Sequence, residues 1–315
     1  MVSLIQNENM KIYRRIRTWI MALLLVAIVI AWSLIAFFVE DGQEMKAGEW
    51  RTQLEKQQTE FKTELAQPDL HKEHKEFLNR EVEIIEYRLD HDIAPENATM
   101  WGPINNQTAL VFIITLFVVI VAGDSIAGEF SSGTIKLLLI RPASRLKIML
   151  SKYYATILYG LFLLLVLFLS SFLINGALYG FQGWGQPYLN VSEAGMIKEE
   201  NIVVHLWQTY FLGSVATVMY VTLAFMISAV FRSSAMAIGI SIFAMFAGNI
   251  ATSIFQKYSW SKYSLFANID LTQHLNGFPF RPEMTMGFSI SILIGYFLIF
   301  NILSWAVFTK RDVAA

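Results

Sequence analysis

The chain contains no cysteine among its 315 residues. That absence excludes disulfides, zinc–thiolate sites, iron–sulfur clusters and thiol nucleophiles together. Charge is scarce as well: 16% of residues are Asp, Glu, Lys or Arg, against about 25% in soluble domains. No Gly-Lys pair occurs anywhere, so the glycine-rich phosphate loop of an ATPase, which ends in Gly-Lys-Ser/Thr, is missing. What the chain has in excess is apolar sequence, 55% of it, with a mean hydropathy of +0.47. An ordinary cytosolic enzyme is not built this way.

A transmembrane helix needs about 20 mostly apolar residues to cross about 30 Å of hydrocarbon. Six runs qualify: Trp19–Val39, Thr108–Gly123, Tyr153–Leu178, Leu206–Val230, Ala235–Phe255 and Met286–Phe308. None holds an Asp, Glu, Lys, Arg or His within these bounds. The first run is too long for a signal-peptide core and lacks a small-residue cleavage pattern, so it reads as a retained anchor. The fold class is an all-α polytopic membrane protein.

Lys and Arg accumulate in cytoplasmic loops. Six spans put both termini on one side, which then holds 12 of the 24 basic residues but only four of the 25 acidic ones: Glu8, Asp124, Glu129 and Asp312. The predicted order is a cytoplasmic surface helix over 1–18, span one over 19–39 and an extracellular helical hairpin over 40–107. Span two follows over 108–123, a cytoplasmic coupling loop or helix over 124–152 and span three over 153–178. An extracellular loop at 179–205 leads to span four over 206–230, a turn at 231–234 and span five over 235–255. A re-entrant or surface segment at 256–285, span six over 286–308 and a cytoplasmic tail at 309–315 complete it.

In the hairpin, Leu54, Phe61 and Leu65 recur at helical spacing, Pro68-Asp69 punctuates, and Phe77, Leu78, Val82, Ile85 and Leu89 resume the period. His71 and His74 stand three apart beside Glu73 and Glu76; the spacing suits metal ligands, but the composition is that of a solvated helix face, and no metal site is expected. Asn97-Ala-Thr99 matches a glycosylation sequon without other signs of a secretory context. Polar residues inside the spans, among them Ser171, Asn175, Asn249 and Thr252, read as bonds between helices, with a substrate path as the alternative.

Two predicted cytoplasmic elements stand out. Ile12, Ile16 and Trp19 fall at helical spacing with Lys11, Arg14, Arg15 and Arg17 interleaved, as in an amphipathic helix lying on the membrane surface. After span two, Ile135, Leu138 and Leu139 give an apolar helical face, Arg141-Pro142 ends it, and Ser144 is placed to cap the next helix. An apolar knob with a basic collar suits the docking of a soluble partner.

At these residues the chain resembles the membrane permease subunits of type-2 ATP-binding-cassette exporters. The likeness rests on Glu129 followed by Gly133-Thr134, the Leu138-Leu139 pair, and Pro142-x-Ser144-Arg145 entering span three. The ending Phe308-Thr309-Lys310-Arg311-Asp312 and the order of parts along the chain agree. The long hairpin after span one departs from many such exporters and is similar to Gram-positive permeases linked to peptide-antibiotic export or resistance.

The resemblance implies a multi-pass permease in a bacterial plasma membrane that is not itself an enzyme and binds no cofactor. ATP and magnesium would be held by a cytoplasmic ATPase dimer, with a second permease, identical or homologous, beside this one. It implies contact with membrane lipid and none with nucleic acid. The coupling loop would carry Glu129, Gly133, Thr134, Ile135, Leu138, Leu139, Arg141, Pro142, Ser144 and Arg145, and the uncharged spans favour apolar or amphipathic cargo. The competing reading is a non-transporting sensor or immunity subunit whose hairpin binds an antibiotic or partner.

Overall fold

The computed structural model describes residues 1–39, 49–67, 70, 72–135, 143–191, 197–277 and 279–310. Among them, six helices are long and apolar enough to cross a membrane: Ile16–Phe38, Trp101–Ser131, Arg145–Tyr179, Ile202–Val230, Ser234–Ile254 and Met286–Lys310. Every apolar run of the sequence lies largely within one of them, and the protein is an all-α polytopic membrane protein.

In chain order the elements are α1 (Val2–Tyr13), α2 (Ile16–Phe38), α3 (Trp50–Leu65), α4 (Lys72–His91), α5 (Trp101–Asn106) and α6 (Val111–Ser131). Then come α7 (Arg145–Tyr179), the strands β1 (Pro187–Val191) and β2 (Ile197–Asn201), α8 (Ile202–Val230) and α9 (Ser234–Ile254). Two short helices, α10 (Leu265–Asn268) and α11 (Thr272–Leu275), precede α12 (Met286–Lys310). A 3-10 turn, Gln107–Leu110, joins α5 to α6.

The chain forms two compact units: one of Met1–Leu25, Leu110–Val166 and Tyr210–Ala315, the other of Val26–Ala109 and Leu167–Thr209. In the first, α6 is the central helix, with Ile114, Val118, Val119, Ala122 and Ile126 buried. It packs closely on α9 because Gly123 has no side chain there; a Cβ would stand 3.1 Å from the Ile238 Cα. Ser228 of α8 enters the backbone of α6: its hydroxyl accepts from the Ile126 and Ala127 amides at 3.1 and 3.0 Å and donates to the Gly123 carbonyl at 2.7 Å. Leu23, Phe243 and Ile302 remain exposed, as apolar side chains do when the solvent is lipid.

In the second unit, α3 and α4 form the expected hairpin. Leu54, Leu78, Val82 and Ile85 are buried, whereas Phe77, expected on the same stripe, is exposed. Lys62 and Gln58 both donate to Glu86 across the pair, at 2.9 and 3.1 Å. β1 and β2 pair antiparallel, Tyr188 opposite Glu200, a small sheet in a region read as loop. It is tied to α4 by the Tyr87 hydroxyl, which donates to Glu199 at 2.8 Å. Burial pushes the Tyr188 phenol up to about 12. Arg88, 4% exposed, donates to Glu96 at 2.5 Å and to the Ala94 carbonyl at 2.9 Å.

Candidate functional site

The amino-terminal surface helix differs from its expected course. The Ile12, Ile16 and Trp19 periodicity does not continue on one helix, because α1 ends at Tyr13 and α2 begins at Ile16. The last carbonyls of a helix need outside donors, and α2 supplies them. The Thr18 hydroxyl donates to the Ile12 carbonyl at 2.5 Å, and the Trp19 indole donates to the Tyr13 carbonyl at 2.9 Å. Trp19 therefore belongs to the first span, and Arg14 and Arg15 occupy the break.

The span boundaries also move. α6 runs on to Ser131, so Asp124 and Glu129 are helical residues, not loop charges, while α7 starts at Arg145, where the Ser144 cap places it, and carries Lys152. The connection of 124–152 contracts to 132–144. A helix leaving the hydrocarbon keeps its geometry while its side chains turn polar, which an apolar run does not register.

These extensions bring together a closed ring of alternating charge. Lys11 lies 3.2 Å from Glu8 on α1 and donates to Glu129 at 2.8 Å. Lys152 donates to Glu129 at 2.9 Å and to Glu8 at 2.8 Å. The Lys152 side chain is 4% exposed, so its charge is tolerable only because two carboxylates face it. Burial disfavours the Lys11 ammonium, but its bond to Glu129 and the fields of Glu8 and Glu129 outweigh that and raise its pKa. Glu129 also accepts from the Thr134 hydroxyl, which fixes the start of the following loop. Gly133, between them, has φ +72°, a left-handed conformation that suits glycine.

A second node lies on the same helix. Asp124 accepts from Arg15, Arg17 and the Ser234 hydroxyl, joining the α1–α2 break to α6 and to the start of α9. Between the two nodes is a cleft of about 520 Å³ lined by Lys11, Arg14, Arg15, Asp124, Glu129 and Lys152 among others.

The remaining residues predicted for the coupling loop fall in three groups. Ser144 caps α7, its hydroxyl accepting from the Lys147 amide at 3.4 Å, and Arg145 donates to the Thr309 carbonyl of α12 at 2.8 Å. Ile135, expected as part of an exposed knob, is instead buried at 5% exposure. An apolar side chain that finds cover in its own chain contributes no docking surface. Leu138, Leu139, Arg141 and Pro142 lie outside the described residues, as do Arg311 and Asp312.

The polar span residues bond between helices. Gln107 donates to Ser33 at 2.8 Å and accepts from Ser171 and, at 3.2 Å, from Asn175. Asn249 donates to the Tyr220 hydroxyl at 2.7 Å, and Thr252 lies 3.3 Å from the Ser264 hydroxyl. His74 pairs with Glu64 at 2.8 Å, while His71 lies outside the described residues. Among the described residues no cluster of three His, Asp or Glu side chains is arranged to hold a metal ion.

Sequence reading missed Glu8 and Lys152 as partners, and Gln107 and Ser33 as the centre of the polar cluster. The one available signal was position: Glu8 is the only acidic residue of the first 39, set among four basic ones.

Six spans with an ion-paired amino-terminal helix define a polytopic helical membrane protein. The chain belongs to the family described as "Protein of unknown function (DUF2705)", whose model matches residues 76–314. It is 39% identical over 318 residues to the uncharacterized protein YhcI of Bacillus subtilis strain 168, covering both chains completely. It is also 27% identical over 215 residues to the uncharacterized membrane protein YdbK of the same organism, covering 67% of this chain and 82% of that one.

Proposed function

We propose that this chain is the permease subunit of a type-2 ATP-binding-cassette exporter in a bacterial plasma membrane, with both termini cytoplasmic. It moves an apolar or amphipathic cargo, such as a peptide antibiotic, a drug or a lipid-like molecule, outward. A separate ATPase dimer holds ATP and magnesium, and a second permease completes the assembly.

The observation that supports this reading best is the charge ring. A loop that transmits the closure of a soluble ATPase must be held stiffly at both ends, or its displacement dissipates locally. Glu129 stands at the end of α6 before the 132–144 connection and Lys152 on the first turns of α7 after it, and their direct pairing bridges that connection. Lys11 and Glu8 add α1 to the same body. The Arg145 bond to Thr309 extends it to α12. Movement of the loop would carry four helices with it.

The test is purification of the tagged chain from its native membrane. The proposal expects a stoichiometric subunit bearing a Gly-Lys-Ser/Thr phosphate loop, and ATP-dependent cargo uptake by inverted vesicles. An assembly purified intact without such a subunit, or ligand binding at the 40–107 hairpin with no flux, would contradict it.

A further inference from the structure

We propose that the cleft between α1, α6 and α7 binds a phosphate-bearing anion, and that the headgroup of an anionic phospholipid is its natural occupant. Its charged lining comprises four cations, Lys11, Arg14, Arg15 and Lys152, against three carboxylates, Glu8, Asp124 and Glu129. Every carboxylate is already engaged. Glu8 and Glu129 are shared within the ring, and Asp124 takes both Arg15 and Arg17. Among the described residues the cleft lining therefore carries one more cation than it has carboxylates.

Arg14 is the clearest surplus donor. It lines the cleft and is exposed, and among the described residues its guanidinium has no hydrogen-bond or ion-pair partner. A free guanidinium offers a planar fork of donors that matches a phosphate bidentately. Arg15 bonds Asp124 through one Nη and is half exposed, which leaves further donors on the same rim.

The position in the fold points to lipid. Directly after the arginines, α2 turns apolar outward, with Ile16 77% and Leu23 68% exposed, the surface expected against acyl chains. Tyr13 and Trp19 flank the break, and both rings pack on Phe162. Aromatic residues of this kind mark the hydrocarbon–headgroup boundary. A lipid lying along α2 would bring its phosphate to Arg14 and Arg15. Basic residues at this depth attract anionic headgroups.

The experiment uses the full-length chain in detergent with three probes: phosphatidylglycerol, phosphatidylcholine and inorganic phosphate. Binding is read by native mass spectrometry and by the shift in thermal unfolding midpoint. Phosphatidylglycerol should bind and stabilise beyond phosphatidylcholine. Arg14→Gln should weaken that binding about tenfold, the scale of one charge-assisted hydrogen bond. Arg14→Lys should recover part of it. Arg232→Gln, which removes an exposed charge outside the cleft lining, should leave it unchanged and so controls for net charge. Stabilisation by inorganic phosphate alone, lost in Arg14→Gln, would support the site with a free phosphate as occupant. Equal binding of the two lipids with no response to phosphate, or equal loss in Arg14→Gln and Arg232→Gln, would overturn the proposal. Retained helical circular dichroism in Arg14→Gln separates a lost site from a lost fold.

Discussion

The ammonium of Lys152 and the carboxylate of Glu129 lie 2.9 Å apart, one near the start of α7 and the other near the end of α6. The pair closes the chain's connection between its second and third spans, and Lys11 and Glu8 of the amino-terminal helix complete it into a ring. A membrane protein with so few charges places four of them in mutual contact.

The two lysines of the ring should not be equivalent. Lys152→Met removes a cation that is 4% exposed and leaves two carboxylates facing Lys11 alone, so it should cost about 3–5 kcal/mol, as broken buried pairs do. Lys11 is 37% exposed, and Lys11→Met should cost about 1 kcal/mol or less, in the range of solvent-screened pairs. Unfolding in a denaturing detergent titration measures both. Equal costs would mean that the ring is not the structural unit described.

Gln107 should be the anchor of the intramembrane polar cluster. It contacts Ser33, Ser171 and Asn175, and interhelical hydrogen bonds in membranes average about 0.6 kcal/mol with maxima near 1.7. Gln107→Leu should therefore destabilise by about 1–2 kcal/mol, and Ser33→Ala by about 0.6. A neutral Gln107→Leu in the same titration would remove the packing role from these residues.

The hairpin should loosen as pH rises through the titration of Glu81. Burial raises its carboxyl above the ordinary 4.5; Arg88 opposes this and Glu96 adds to it. The folded hairpin thus holds the proton more tightly than the unfolded chain. The resulting stability is full below pH 4.5 and is lost as pH rises through the higher folded value. Hydrogen exchange over 72–91 should accelerate across that window in the native chain, beyond the intrinsic base catalysis seen in unstructured peptide. Glu81→Gln should abolish the extra acceleration.

Orientation can be read with single cysteines, because the native chain has no thiol background. On intact cells an impermeant thiol reagent should label position 58 of the hairpin and leave position 144 unlabelled. The opposite pattern would invert the proposed topology.

The spans were legible because hydrocarbon demands long apolar runs, a requirement visible in composition alone. The end of α6 was not, since Asp124 and Glu129 continue a helix with side chains that also suit a loop. The ring was hidden for a different reason: Lys11 and Glu129 are 118 positions apart, and Glu8 and Lys152 are 144 apart. Neither pair has a spacing rule. Ile135 shows the reverse failure, for helical periodicity marks an apolar face without saying whether the chain itself covers it. The Ser144 cap was legible because capping is a local interaction.

The most direct test of the proposed coupling is cargo-stimulated ATP hydrolysis by the chain reconstituted with the ATPase proposed as its partner, compared among wild type, Glu129→Gln and Leu138→Asp. The native pair should hydrolyse ATP faster with cargo than without. Glu129→Gln should retain the ATPase subunit yet lose the stimulation, because it loosens the ring at the loop without altering the docking surface. Leu138→Asp should lose the subunit itself if Leu138 docks as proposed, because the partner's groove would then have to bury an unpaired charge. Full stimulation and full complex yield in both variants would contradict the account.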